Sequence, residues 1–273
     1  MAEPIVVDGV AMRSLRQINA LPVAQKVAIY RRLIPDDLLT QFGIDPVTWT
    51  NADGVRLVSL EAAAGTGFLC IRTFPFPDFP DPLFQLELGD TGNHQIEVLL
   101  VLVNDPHSQR FGVDRDWAGE PTKFGLMRRN PEEEERAMEA GLAPGQVRQG
   151  LRQMSRQQQL VEDLVIGLGH DLYLANPLAY HNAIILEWQG FSYIQGRRKM
   201  EWIHREFQPD GKLFKKLDGS TPFRQPETAQ TVRGRSWAIH DGILGEPWSA
   251  LEVKMYKRVG QHAGVCTFPG AVY

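Results

Sequence analysis

The densest group of side chains able to do chemistry lies between residues 233 and 242, in the sequence Arg-Gly-Arg-Ser-Trp-Ala-Ile-His-Asp-Gly. Arg233 and Arg235 together suit a carboxylate or a phosphate, because guanidinium groups donate paired hydrogen bonds to planar oxyanions. His240 stands beside Asp241, and because histidine side chains supply acid–base capacity near neutral pH, both residues are candidates for acid–base catalysis. Trp237 is a candidate substrate contact or a core residue. The alternative for the whole stretch is ordered loops held by salt bridges.

A second candidate is Glu97, the one polar side chain inside the apolar run that extends from Gln95 to Asn104. A run of this length, rich in Val and Leu and closed by Asn104-Asp-Pro, predicts a central strand buried on both faces. If Glu97 faces the core, its raised pKa would suit a general base. If it faces solvent at the start of the strand, it has no such role.

Histidine and glutamate also occur at a spacing typical of metal sites. Glu201 and His204 lie three residues apart, on one face of a predicted helix, and His181 or the pair His170-Asp171 would complete a ligand set. The spacing also arises by chance on solvated helices. We therefore keep a metal site built on His181, Glu201 and His204 as an alternative, and favour no metal.

Composition narrows the classes of function. The chain has 273 residues, 43% hydrophobic and 23% charged, with a net charge of −4. An acidic balance argues against nucleic acid or an anionic membrane as the main partner. Two cysteines without metal-type spacing indicate a reducing, cytoplasmic setting. No run reaches the roughly 20 apolar residues of a membrane helix, and the N-terminus lacks a signal-peptide layout.

Periodicity and turn residues predict alternating helices and strands, hence a mixed α/β fold. The predicted strands are residues 5–10, 54–61, 67–74, 83–88, 95–104, 171–175 and 190–194. The predicted helices are 21–40 with a break at Pro35, 128–141, 146–166, 177–188 and 199–207. Residues 233–243 and 250–259 complete the fold, the latter as strand or helix.

Two stretches resemble the acetyl-CoA-dependent N-acyltransferase superfamily, whose fold is known as GNAT. The central strand ends in Val103-Asn-Asp-Pro and is followed by Arg110 and Gly112, similar to the family's strand, proline and Arg/Gly-rich turn. Residues 172–191 are similar to its strand, its Asn and Ala on a helix, here Asn182 and Ala183, and its closing Gly-Phe. The predicted order of elements is similar as well.

The resemblance implies a GNAT-like mixed central sheet (α+β) flanked by helices over residues 1–194. A segment at about 107–145 would be inserted, and residues 195–273 would form an extension packed on the core. It implies acyl-CoA or acetyl-CoA as cosubstrate and a small amine-type acceptor, whose proton Glu97 or His240 would take. The expected cofactor-binding residues are Val103, Arg110, Gly112, Gly145, Arg148 and Asn182. Gly145 and Arg148 are included because a Gly-rich turn at the start of a helix presents free N–H groups that can bind a phosphate.

Two other functions stay open at this stage. One is a metal-dependent lyase or hydrolase that uses a His/Glu cluster, including His240. The other is a ligand-binding or dimeric protein without catalysis, which the single glycine and the acidic residue of Arg110-Phe-Gly-Val-Asp114 favour. The expected partner is a small-molecule substrate, and a homodimer remains open.

Overall fold

The computed structural model describes residues 3–122, 129–249 and 251–273, and it shows a mixed α/β chain, as predicted. The strands are β1 (Val6–Val7), β2 (Val10–Ala11), β3 (Val58–Glu61), β4 (Phe68–Thr73), β5 (Phe84–Asp90), β6 (Ile96–Val103), β7 (Leu172–Ala175), β8 (Ser192–Gln195) and β9 (Lys254–Arg258). The α-helices are α1 (Leu15–Asn19), α2 (Val23–Tyr30), α3 (Asp36–Gln41), α4 (Pro131–Glu139), α5 (Met154–Gly167), α6 (Tyr180–Trp188), α7 (Arg197–Glu206) and α8 (Val232–His240). Short 3-10 helices cover Arg31–Leu33, Phe214–Lys216 and Pro226–Gln230.

Contacts divide the chain into two compact units. The first unit comprises Met1–His107, Gly150–Ala175 and Lys257–Gln261, and the second comprises Ser108–Gln149, Asn176–Tyr256 and His262–Tyr273. The domain boundary predicted at residues 194 and 195 stays a prediction. Within the described ranges, no helix is both long and apolar enough to cross a membrane.

The first unit is organised around an antiparallel meander followed by one parallel strand. Strands β3, β4, β5 and β6 pair in sequence order, and β7 pairs with β6 in parallel. The inward side chains of β4 and β5, among them Leu69, Ile71, Leu86 and Leu88, have no exposed surface. Alternating apolar residues thus bury one continuous sheet face, as the strand periodicity predicts.

A buried polar residue, Asn19, fixes the N-terminal helices to this sheet. Its side-chain amide donates to the carbonyl oxygens of Thr66 and Phe68, each at 2.9 Å, and its Oδ1 accepts from the Tyr30 hydroxyl at 2.6 Å. Asn19 has no exposed surface, so each of its polar groups needs such a partner. Burial raises the pKa of the Tyr30 hydroxyl far above its usual range, which keeps it a donor.

The long helix of the first unit begins later than the apolar pattern predicts. We expected it from residue 146, but α5 begins at Met154. Gly150 forms an antiparallel bridge with Asn104, and Arg152 adopts a positive φ of 58°. This pairing and the left-handed residue hold the chain out of the helical conformation until Gln153.

The second unit is built around helices α6 and α8. Both are packed closely, since Ala183 of α6 and Ala238 of α8 have no exposed surface. Beside them, α4 begins after Asn130, whose side chain accepts from the Glu133 N–H at 3.3 Å, with Pro131 in the first turn. Strands β8 and β9 pair antiparallel, with Ser192 opposite Tyr256.

Most predicted elements are confirmed within a few residues; besides the late start of α5, two predicted strands differ. The predicted strand at 5–10 is a hairpin, β1–β2, turned at Asp8 and Gly9, both of which have positive φ. The predicted strand at 54–61 is only β3. Of the residues at 250–259, 254–258 form a strand, while Ala250, like Arg128 at the predicted start of α4, lies outside the described residues.

The Asn19 network yields a stability prediction. Asn19→Ala should lower the free energy of unfolding by about 2–4 kcal/mol, because it removes three hydrogen bonds and leaves the buried Tyr30 hydroxyl unpaired. Asn93→Ala, in the exposed turn between β5 and β6, should change it by less than about 0.5 kcal/mol. Urea unfolding of both variants measures the difference. Equal stability of the two would contradict the assignment.

Candidate functional site

Helix α8 carries most of the sequence-predicted catalytic and substrate residues, and its start is tightly fixed. The Thr231 side chain caps the helix by accepting from the Gly234 N–H at 3.0 Å. Gly234 has to lack a side chain, because a Cβ there would lie 2.3 Å from the Cβ of Thr228. The 3-10 helix Pro226–Gln230 therefore lies directly against α8, which sets the direction of every side chain that follows.

His240, at the end of α8, is paired with a buried carboxylate. Its Nε2 lies 3.0 Å from Oε1 of Glu134 in α4, whose side chain is 2% exposed. Arg129 donates to the other oxygen of Glu134, through Nε at 2.9 Å and Nη2 at 2.5 Å. Burial alone would raise the pKa of Glu134, but the hydrogen bonds from His240 and Arg129 outweigh it, so the pKa lies below its usual range.

Asp241 belongs to the same network but contacts different partners. Its carboxylate accepts from Arg129 Nη1 at 2.9 Å, Arg224 Nε at 2.8 Å and the Thr221 hydroxyl at 2.9 Å. Burial raises its pKa, yet these three bonds lower it more, and the pKa falls below its usual value. Glu134, not Asp241, is the hydrogen-bonding partner of His240.

A second histidine, His181 on α6, lies inside the helix pair. Its Nδ1 is 2.9 Å from the Ser236 hydroxyl, and both residues are buried. Burial, and then the charges of His240 and Arg233, lower the pKa of His181 to about 3. His181 is thus neutral at physiological pH.

Arg235 is fully buried among aromatic rings. Its guanidinium carbon lies 3.5 Å from the ring centre of Phe268, while Nε donates to the Ala229 carbonyl at 2.5 Å. Nη1 lies 3.2 Å from Nδ1 of His204, which must therefore be a lone-pair acceptor. Burial lowers the pKa of Arg235, an effect that Tyr180 partly offsets.

Two further candidates from the first motif have partners of their own. Arg233 lies over the Tyr273 ring, 4.4 Å from its centre. Trp237 is buried in a cluster with Phe223, at 5.2 Å between ring centres, and donates its N–H to the Leu142 carbonyl at 2.8 Å.

The alternative metal ligands point to different partners. Glu201 accepts from Arg197 Nε at 2.8 Å, and the Nδ1 of His204 is taken by a guanidinium. Of the residues that the structure describes, no three or more His, Cys, Asp or Glu side chains form a group suited to a metal ion.

Several of the predicted cofactor residues lie in the second unit, where their donors already have acceptors. The Gly112 N–H donates to Glu133 at 2.8 Å, Arg110 pairs with Asp114 at 2.8 Å, and Arg148 Nη1 donates to the Ser108 carbonyl at 2.5 Å. Gly145 has a positive φ of 82° in the turn before β-bridge residue Gly150, and Asn182 lies half-buried in the first turn of α6. The role of these residues in cofactor binding stays a prediction.

The first unit holds Glu97 and Val103, both on β6, and this strand is unusual. The expectation that β6 is buried on both faces is wrong: of its eight residues only Ile96 is buried, and Leu99 is 37% exposed. The pairing of β6 with β7 is also short, and it matches only Glu97 with Leu174 and Val98 with Ala175. Beyond Val98, the next pairing on that edge among the described residues is the antiparallel bridge between Asn104 and Gly150.

Strand β6 leaves β7 at the point where its pairing with β5 contains a β-bulge. Opposite β5, Leu100 faces Glu87 and Val98 faces Leu88, so that Leu99 is an extra residue in β6. At the strand's end, the Asn104 N–H donates to the Leu83 carbonyl at 2.9 Å. In an antiparallel pair, the backbone N–H and C=O groups of successive residues point alternately to the two neighbouring sides. Counting back from Asn104, the groups of Leu100 and Leu102 point to β5, and those of Val101 point to the open edge.

The partners of His240 and Asp241 were not predicted from the sequence, namely Glu134, Arg129, Arg224 and Thr221. Glu134 belongs to the acidic run directly behind Pro131, a pattern typical of a solvated helix start. The sequence contains only a weak signal for these contacts, because hydrogen-bonded partners such as Arg129 and Asp241 lie up to 112 positions apart. The comparisons of this chain with family models, curated proteins and solved structures found no match.

The buried network predicts a large effect of Glu134→Gln on stability. Removing this charge leaves Arg129 and His240 with one partner fewer in a buried site, which should cost about 3 kcal/mol of unfolding free energy. Glu201→Gln breaks the exposed pair with Arg197 and should cost at most about 0.5 kcal/mol. Chemical denaturation compares the two, and similar losses would show that the network is not stabilising.

His181 predicts a loss of stability in acid. A pKa of about 3 in the folded chain, against about 6.5 when unfolded, means that the unfolded state takes up the proton first. Stability from this group is complete above pH 6.5 and declines as the pH falls towards 3. Between pH 7 and pH 5 the loss should be about 2 kcal/mol.

His181→Gln should remove that part of the pH dependence, whatever its effect at pH 7. Unfolding curves at pH 5, 6 and 7 for both proteins measure it. If the two proteins lose the same free energy between pH 7 and pH 5, His181 does not titrate as inferred.

Proposed function

We propose that the chain transfers an acyl group from an acyl-CoA to a small amine-type acceptor. The observation that supports this most is the parting of β6 from β7 after two residue pairs, with a bulge at Leu99. An extended ligand arm with amide groups can take the place of the missing strand, because a strand edge offers N–H and C=O groups at regular spacing. The pantetheine arm of CoA is such an extended, amide-containing chain.

The side chains of β6 suit this ligand as well. From Leu99 to Val103 every residue is apolar and none is fully buried. Covering part of this surface with an alkyl chain would contribute about 25 cal/mol per Å² of apolar area. Polar backbone groups would fix the arm, and the Leu and Val side chains would hold its methylene groups.

Glu97 is the proposed general base of the reaction. It is half-buried on β6, two residues before the bulge, so it lies on the strand that would hold the arm. In the proposed step the acceptor amine gives its proton to Glu97 and its nitrogen bonds to the thioester carbon. The CoA thiolate then leaves and is protonated. A backbone N–H at the open edge would stabilise the oxyanion.

The backbone of Val101 allows a direct test of ligand binding. Val101→Pro removes the N–H at the open edge while leaving the ladder bonds to β5, as proline at a strand edge can. Val101→Ile keeps the N–H at similar volume. We expect acetyl-CoA or a longer acyl-CoA to raise the melting temperature of the wild type and of Val101→Ile by mass action. Affinity for Val101→Pro should fall roughly tenfold.

Calorimetric titration of the three proteins gives the affinities, and far-UV circular dichroism establishes that each variant is folded. If no acyl-CoA gives heat or a thermal shift with the wild type, the proposal is wrong. If binding is present, Glu97→Gln should slow acyl transfer by roughly a hundredfold with little change in affinity.

A second candidate is a protein that binds a ligand without catalysis. It is favoured by the internal acceptors of the Gly112 N–H and Arg148, because these donors are not available to a pyrophosphate as the chain stands. A thiol-release assay with a panel of amines separates the two functions. Binding of acyl-CoA without release of CoA above the uncatalysed rate would favour this second candidate.

A further inference from the structure

A surface cavity of about 420 Å³, open to solvent on one side, lies in the first unit, where α5 ends, β7 begins and β9 runs into its final turn. Its volume falls in the range of small-ligand pockets. The lining combines apolar and polar side chains, namely Ile166, Val259, His170, Asp171, Arg258 and Gln261. None of these residues lies on β6, so the cavity is distinct from the open edge described above.

The cavity wall presents one positive and one negative charge side by side. Arg258 Nη1 lies 3.3 Å from Oδ2 of Asp171, and the two side chains are 51% and 81% exposed. This single contact leaves further guanidinium N–H groups and the second carboxylate oxygen able to bind a ligand. A ligand that carries both charges could replace it without leaving either side chain unpaired.

His170 adds an acceptor, and its tautomer follows from its other nitrogen. Nε2 lies 2.8 Å from the carbonyl oxygen of Arg13, which can only accept, so Nε2 carries the proton. Nδ1 of the neutral ring is therefore an acceptor. The C-terminal end of α5 lies at the same wall, and its dipole also favours a positive group.

We propose that this cavity binds a free α-amino acid. The ligand carboxylate would pair with Arg258 and accept from the Gln261 amide, while the ammonium group donates to Asp171 and His170. Ile166 and Val259 would contact its side chain. Because the cavity presents both an arginine and an aspartate, the ligand needs both a negative and a positive charge. This proposal does not depend on the acyl-transfer function proposed above.

Isothermal titration of the full chain with each standard amino acid tests the proposal. At least one should give saturable heat, and Arg258→Gln and Asp171→Asn should each raise its Kd roughly tenfold or more. The matched control is Arg72→Gln, which breaks another exposed pair of the first unit, between Arg72 and Glu61 at 3.7 Å. Its Kd should stay within about twofold of the wild type.

If a variant fails to fold, titration of the wild-type protein with ligand analogues still tests the proposal. The amide and the N-acetyl derivative of the best amino acid each lack one charge, and both should bind roughly tenfold more weakly. The proposal is overturned if no amino acid gives saturable heat up to about 10 mM. It is equally overturned if the variants, or the two analogues, bind as well as their parents.

Discussion

The pairing of β6 with β7 ends after two residue pairs, and the chemistry that we propose for the first unit depends on that early end. A backbone N–H or C=O that leaves a ladder must find another partner, whether a ligand or water. Val101 is in this position because the bulge at Leu99 changes which residues face β5. Without the bulge, ladder alternation would direct Val101 to β5 and present a different residue at the open edge. A one-residue irregularity thus decides which backbone groups are offered there.

The second unit depends on a different constraint, the pairing of buried charge. Arg129 bridges Glu134 and Asp241, so that two acidic residues and two arginines, with His240, satisfy one another. A buried ion network of this kind contributes less to net stability than its Coulomb energy suggests, because desolvation opposes it. Removing any one residue of this network should nevertheless lower the free energy of unfolding strongly, because it leaves a charged partner without its counterpart. Arg235 is the contrast, since its positive charge is held by carbonyl, imidazole and aromatic groups.

Local patterns in the sequence predicted what local physics determines. The β5–β6 hairpin follows from a turn between two apolar runs, and the start of α4 follows from Pro131 and the acidic residues behind it, to which the structure adds the Asn130 cap. The start of α5 was missed because a positive φ at Arg152 cannot be read from an apolar period. The burial of Glu134 was missed because its partner His240 lies 106 residues away. Single-sequence periodicity contains no information about such pairs.

The half-exposed state of β6 calls for a physical explanation that the sheet alone does not supply. Seven of its eight residues are apolar, and Leu99–Val103 lie between the last pair with β7 and the bridge that Asn104 forms with Gly150. Strand edges that stay open to water usually carry lysine, proline or other polar residues, since an apolar edge promotes association with other strands. Glu97 is the one charged residue of β6, and it lies on the paired side of the bulge. In the acyl transfer that we propose, this apolar composition suits a strand that receives an extended ligand.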